Sequence, residues 1–125
     1  MENEIIESKE GIAASLNNIG NIYYDQGDIT KAVDYYHKSL KIREEVGDKQ
    51  GIGYSLILIA VIYKRQDNIP KALEYFHKTL KIREEIGDKD GIVYSLFNIG
   101  AIYQDQGDMI NAIDCYLKGW MVRTM

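Results

Sequence analysis

Apolar side chains recur at helical spacing along the chain, in two stripes separated by a short polar break. The first stripe steps by four, three and four residues, as one face of a helix requires, and consists of Ile12, Leu16, Ile19 and Tyr23. The second stripe is broader and consists of Ile29, Ala32, Val33, Tyr35, Tyr36, Leu40, Ile42 and Val46. These patterns predict one helix that ends near Gly27 and a second helix over about residues 29–46. No segment shows the alternation typical of a strand.

The same two stripes return with a period of 40 residues. Residues 11–50 and 51–90 are identical at 23 of their 40 positions, and residues 91–125 form a third, shorter copy. Units of this length stack side by side, so that each contacts its neighbours in the chain. We therefore predict one all-α domain over residues 1–125, an α-solenoid of three antiparallel helix hairpins at about 11–50, 51–90 and 91–125.

The segment before the first copy aligns with the end of a second helix, because Ile6 takes the position of Val46 and Ile86. We expect residues 1–10 to be the end of a preceding helix. The chain also stops inside the repeat, since Met125 matches Glu45. Both observations favour a fragment of a longer array.

Helix-capping residues stand at the expected breaks. Asp28, Asn68 and Asp108 precede the second helix of each copy, where a side-chain oxygen can accept from the first unpaired N–H groups. Gly47 and Gly87 follow the last apolar residue of that helix and suit a left-handed C-cap. These residues support hairpins made of two helices.

The recurring residues resemble the tetratricopeptide repeat. Its pattern of large apolar, Leu-Gly, Tyr, Ala, aromatic and small residues is matched in the first copy by Leu16, Ile19, Gly20, Tyr23, Ala32, Tyr36 and Ser39. The unit is longer than usual and lacks the proline after the second helix, so it is similar to the extended 40-residue form found in kinesin light chains. Family members are mostly scaffolds that hold a peptide or partner helix in a concave groove. The resemblance therefore implies a protein–protein interaction scaffold and not an enzyme.

The resemblance also implies which residues face a partner, since first helices line the groove in the family. The matching positions, which we expect to bind the partner, are Asn17, Asn21, Tyr24, Tyr54, Ile57, Val61, Lys64, Tyr94, Phe97 and Gln104. We expect Asn17 and Asn21 to bond a peptide backbone, beside apolar anchors. Val61 and Phe97 stand where relatives that hold a C-terminal carboxylate place donors, so an amphipathic helix or extended segment is favoured. Packing of Ile57, Val61 and Phe97 against the next repeat is the alternative interpretation.

The last helix is more apolar than its counterparts. Leu117 replaces a histidine, Met121 replaces a lysine and Trp120 replaces a leucine of the earlier copies. Since a solenoid needs polar ends, we hypothesise that Leu117, Trp120 and Met121 mediate self-association or dock another segment. The alternative function is thus a self-associating structural or engineered repeat module without a separate ligand, a homo-oligomer through the C-terminal helix.

Composition and charge narrow the classes of partner. The chain of 125 residues has a net charge of −4, whereas sequence-independent binding of nucleic acid needs a basic stripe. The longest apolar run, residues 56–63, is eight residues long, against about 20 for a membrane span. A single cysteine excludes an internal disulfide, and the N-terminus is unlike a signal peptide. We expect a cytoplasmic protein that binds neither nucleic acid nor a membrane.

Residue clusters typical of catalysis or metal binding are missing from the pattern. His37 and His77 fall on a lysine-rich helix face without a Cys or carboxylate cluster, so we expect them at the surface. Cys115 takes the position of Tyr35 and Tyr75 and is expected to be a packed, small apolar residue. We predict no catalytic residue, no cofactor and no metal ion.

Overall fold

The computed structural model describes residues 2–125, and these form six α-helices with no strand among them. The helices are α1 (Glu2–Asp25), α2 (Ile29–Val46), α3 (Lys49–Arg65), α4 (Ile69–Ile86), α5 (Lys89–Asp105) and α6 (Met109–Thr124). They pair into three hairpins, α1–α2, α3–α4 and α5–α6, and the hairpins are joined where α2 packs on α3 and α4 on α5. The predicted all-α solenoid of antiparallel hairpins is confirmed.

The predicted capping residues begin and end the second helices. Asp28, Asn68 and Asp108 each accept a hydrogen bond from a backbone N–H three residues later, at 3.2, 3.4 and 3.2 Å. Gly47 and Gly87 have left-handed φ angles of 73° and 69°, which a residue with a side chain adopts only at a steric cost. The boundaries of these helices therefore follow from local chemistry.

The first helix differs from the prediction, because residues 2–10 are not the end of a separate, preceding helix. They continue into residues 11–25 as the single helix α1, and Met1 lies outside the described residues. Between α2 and α3 the break is made by left-handed Gly47 and by Asp48, which caps α3. The equivalent residues before the first copy are Glu7 and Ser8. Glutamate disfavours the left-handed conformation, so nothing stops the helix there.

Small residues let the two helices of a hairpin approach closely. A Cβ atom added to Gly20 of α1 would lie 2.6 Å from Cε1 of Tyr36 in α2, which is too close for a real contact. Ala32 and Ala72, at matching positions of α2 and α4, are fully buried. Larger side chains at these positions would force the helices apart.

The apolar stripe of a first helix packs on the preceding hairpin. Ile59 of α3 and Ile99 of α5 are fully buried in this way. In α1 the equivalent Ile19, and Ile12 of the same stripe, are exposed, because no described helix covers that side of α1. The stripe therefore belongs to the core only where a hairpin precedes it.

Candidate functional site

Three adjoining cavities lie along the face formed by the first helices α1, α3 and α5. The central cavity has a volume of about 300 Å³. Five of the ten predicted partner-binding residues line it, namely Asn21, Tyr24, Ile57, Val61 and Tyr94. Within each helix these residues are three or four positions apart, which turns their side chains to the same side.

The two other cavities extend the central one. A cavity of about 430 Å³ is lined by Tyr94 and Phe97, and another of about 440 Å³ is lined by Tyr54. Their walls are shared, because Tyr94 also lines the central cavity and Arg83 lines both the central and the Tyr54 cavity. We call this continuous surface the first-helix groove. It brings together seven of the ten predicted residues, five around the central cavity and two, Tyr54 and Phe97, around its neighbours.

Asn17 does not reach the groove, so its predicted role in binding a peptide backbone is corrected. Its side chain is only 2% exposed. Ala13, Asn17 and Gly20 form the buried side of α1, at the spacing that faces α2. Neither Oδ1 nor Nδ2 of Asn17 has a hydrogen-bond partner among residues 2–125. Asn17 is therefore a polar residue inside the first hairpin and cannot contact a ligand in this conformation.

Three other predicted residues, Ile57, Lys64 and Gln104, are either largely buried or outside the groove. Ile57 is only 8% exposed and belongs to the core between the second and third hairpins. It therefore forms the floor of the groove and is not a freely exposed anchor for a partner. Lys64 and Gln104 line none of the three cavities. Gln104 instead accepts a hydrogen bond of 2.9 Å from the hydroxyl of Tyr116.

A tyrosine from the second helix orients the amide of Asn21 in the groove. The buried Tyr36 donates its hydroxyl hydrogen to Oδ1 of Asn21. Burial raises the pKa of Tyr36 above its usual range, with smaller contributions from Tyr54 and Asp25, so the hydroxyl stays protonated at neutral pH. Because Oδ1 of Asn21 is occupied, the Nδ2 hydrogens are what this amide can offer to a ligand.

Arginines line the groove, and the sequence interpretation missed them. The guanidinium carbon of Arg43 lies 5.7 Å from the ring centroid of Tyr54. The same distance is 5.2 Å from Arg65 to Tyr24 and 5.4 Å from Arg123 to Phe97. These are cation–π distances. Arg43, Arg83 and Arg123 recur with the 40-residue period, and that recurrence was a signal that could have marked them.

Two of these arginines are held by the start of the following helix. Arg43 donates to the carbonyl of Gly51 at 3.0 Å and to Oγ of Ser55 at 3.2 Å. Arg83 donates to Oδ2 of Asp88 at 2.8 Å. The backbone N–H of Gly91 and then Arg83 hold the pKa of Asp88 below its usual range, so this carboxylate stays ionised. The guanidinium groups are therefore fixed in position before any partner arrives.

A family model described as Tetratricopeptide repeat matches residues 11–85 and, in a second overlapping match, residues 51–119. The chain belongs to the tetratricopeptide repeat family. Repeats of this family generally mediate protein–protein interaction, and proteins built from them are generally scaffolds without enzymatic activity. The predicted family is confirmed, whereas the extended 40-residue type stays a prediction.

Solved structures of other proteins share this fold. BtubC (BKLC) from P. vanneervenii matches with a TM-score of 0.83 at 21% identity over 93% of this chain, which spans about half (49%) of BtubC. The N-terminal domain of stress-induced protein-1 (STI-1) from C. elegans matches with a TM-score of 0.79 at 18% identity, over 91% of this chain and 86% of that domain. The TPR domain of Arabidopsis FLU matches with a TM-score of 0.79 at 18% identity, over 90% of this chain and 95% of that domain. No curated protein sequence matches the chain.

Other chemistry in this tetratricopeptide repeat array is limited. Residues 2–125 contain no group of three or more His, Cys, Asp or Glu side chains that could hold a metal ion. Cys115 is buried, as predicted, and burial raises the pKa of its thiol, which disfavours the reactive thiolate. None of the helices in this part of the chain has the length and hydropathy needed to cross a bilayer.

Proposed function

We propose that this tetratricopeptide repeat array is a scaffold that binds a partner polypeptide in the first-helix groove. One observation supports the proposal above the others, namely that the groove is continuous and combines aromatic walls with prepositioned arginines. Val61, on its floor, is partly exposed beside the buried Ile57. Binding sites for polypeptides typically combine apolar pockets with a few polar groups that fix orientation.

The groove favours a partner that carries carboxylates as well as apolar anchors. Arg65 and Arg123 form no ion pair with a carboxylate among residues 2–125, so their donors are available. Each also lies over a ring, Tyr24 or Phe97, which orients the planar guanidinium. An amphipathic helix or an extended segment with an aromatic or aliphatic residue next to an acidic one would satisfy both features.

The substitution Val61→Glu tests the proposal. Peptides selected from a displayed random library against the wild-type protein are expected to share apolar and acidic residues. Their affinity for Val61→Glu should fall by at least about tenfold, because a carboxylate would be placed on the apolar floor and would repel the acidic residues of the peptide. Isothermal titration with one synthetic peptide measures the change.

Gln104→Glu is the matched control, because it adds the same charge at an exposed residue that lines none of the three cavities. It should leave the affinity within about twofold of the wild type. Both variants should retain the helical circular dichroism spectrum. Equal affinity of the wild type and a folded Val61→Glu protein would show that the groove is not the binding site.

A second candidate function is self-association through α6. Leu117, Trp120 and Met121 are each more than half exposed, Trp120 at 60%. Lys41 and Lys81, which are equivalent to Met121, stay exposed even though another hairpin packs on their helices. The exposure of Met121 is therefore a property of its position, and an apolar residue there favours an interface with another molecule.

A further inference from the structure

A pair of stacked tyrosines recurs in the first two hairpins. Tyr23 stacks on Tyr35 with ring centroids 5.5 Å apart, and Tyr63 stacks on Tyr75 at 5.6 Å. In the third hairpin Tyr103 retains the first position, but Cys115 occupies the second. Within residues 2–125 no ring stacks on Tyr103, so the third hairpin contains only half of the repeated pair.

The residues that surround the second ring are nevertheless all present in the third hairpin. Tyr75 meets the imidazole of His37 edge to face, with centroids 5.9 Å apart, and Nζ of Lys78 lies 4.7 Å from its centroid. The equivalent residues around Cys115 are His77 and Lys118. Since the array repeats its geometry, Tyr103, His77 and Lys118 form a frame for an aromatic ring that the chain itself does not supply.

The cavity next to Cys115 is larger than its counterpart next to Tyr75, as the replacement of a tyrosine by a cysteine implies. The groove between α2 and α4, which contains Tyr75, has a volume of about 480 Å³. The equivalent groove between α4 and α6 has a volume of about 600 Å³ and extends to both Tyr103 and His77. Neither Tyr63 nor His37 lines the smaller groove, because the ring of Tyr75 lies between them.

The rim of the larger groove is also more apolar. Met121 and Met125 replace Lys81 and Glu85 of the smaller groove. Methionine side chains adapt to neighbouring groups and make favourable contacts with aromatic rings. The changes at the rim and at Cys115 therefore favour the same kind of ligand.

We propose that the groove between α4 and α6 binds a tyrosine side chain of a partner polypeptide, which occupies the place that Tyr75 takes in the preceding groove. The ring would stack on Tyr103 and meet His77 edge to face. Electrostatic complementarity favours an aromatic over an aliphatic side chain, because the ammonium group of Lys118 faces the negative side of the ring. Oδ2 of Asp114 lies 2.9 Å from Nζ of Lys118 and holds the ammonium group in place.

Binding of p-cresol, the side-chain analogue of tyrosine, tests this site directly. Titration followed by NMR should shift the signals of His77 and Tyr103 in a saturable way. The saturated analogue 4-methylcyclohexanol has a similar shape but no π face, and it should bind about fivefold more weakly. Equal affinity for the two compounds, or no saturable binding of p-cresol, would overturn the proposal.

Two substitutions use the repeat as its own control. Cys115→Tyr restores the ring of the earlier hairpins and should abolish p-cresol binding, whereas Cys115→Ala should retain it. Tyr75→Cys should open a second site and add saturable shifts at His37 and Tyr63. If a folded Cys115→Tyr protein still binds p-cresol at the same signals, the assignment is wrong.

The test also separates other occupants and the first-helix groove. Val61→Glu should leave p-cresol binding unchanged, because Val61 does not line this groove. Shifts of His77 that grow with protein concentration alone, together with a dimer mass, would replace the partner polypeptide with a second copy of the chain and overturn the proposal as stated.

Discussion

Single side chains in this array have environments that depend on their copy of the repeat. Asn17, Ile57 and Phe97 occupy the same position of three successive first helices. Ile57 is part of the core and Phe97 lines the groove, but Asn17 is a buried amide without a hydrogen-bond partner among the described residues. A buried polar group in that state costs about 1–3 kcal/mol relative to a satisfied one.

Asn17→Ile should therefore stabilise the protein. Isoleucine occurs at the equivalent position 57, and the substitution removes two unsatisfied polar atoms from the interior. The free energy of unfolding is expected to rise by about 1–2 kcal/mol, measured by urea denaturation with an unchanged m value.

Asn18→Ile is the control for that substitution, since Asn18 is exposed and adjacent. Its unfolding free energy should stay within about 0.5 kcal/mol of the wild type. A value for Asn17→Ile at or below the wild type would mean that the amide is hydrogen-bonded in solution.

Helix boundaries depend on short-range chemistry, and the longest helix illustrates this. A glycine with a left-handed backbone ends α2, and an aspartate caps α3. Glu7 and Ser8 stand at the corresponding positions of α1, and that helix is unbroken over its full length of 24 residues. Alignment with the repeat predicted a break, but the residues that would make the break are missing.

Two glycine substitutions compare the unbroken helix α1 with the break after α2. Gly11 lies inside that helix, and no heavy atom lies within 4 Å of a Cβ added there, so Gly11→Ala should stabilise the protein by about 0.5–1 kcal/mol. Gly47→Ala should destabilise it by about 1–2 kcal/mol, because φ at this position is 73°. Thermal or urea unfolding measures both. Destabilisation by Gly11→Ala would indicate a turn near residue 11 instead.

The array as a whole has contacts between adjacent helices in the chain, as expected of a solenoid. Its first-helix and second-helix faces consequently offer separate surfaces, namely the first-helix groove and the groove between α4 and α6. The exposed apolar residues of α6 form a third surface. The groove between α4 and α6 and the exposed surface of α6 share Met121, whereas Val61 of the first-helix groove belongs to neither, so a substitution at Val61 should leave both unchanged.

Self-association through α6 predicts that Leu117→Lys with Met121→Lys yields a monomer. Light scattering over a concentration series should show a rising mass for the wild type and a constant monomer mass for the variant, since two buried lysines would oppose the interface. Ile5→Lys with Ile12→Lys makes the same charge change on exposed residues of α1 and should leave the association intact. A wild type that stays monomeric at the highest concentration would contradict the hypothesis.

The fold was predictable in most respects because its signals are local and repeated. Helical periodicity, capping by Asp28 and Gly47, and the 40-residue period are all properties of neighbouring residues, and they led to the hairpins and their order. The groove was predictable in part, since Asn21 and Tyr24 in α1, and Ile57 and Val61 in α3, each share a helix face by spacing alone.

Only the three-dimensional structure shows which side chains are buried and which are brought together from different helices. Asn17 is buried by α2, and Arg43 and Arg123 lie over rings from other helices. The absence of a ring at Cys115 matters because Tyr103 and His77 line the same groove. Helical periodicity states which residues share a face, but which helix covers that face depends on side chains that are distant in the chain. For that reason the pattern of residues determined the helices and their pairing, and packing between helices determined which side chains a partner can reach.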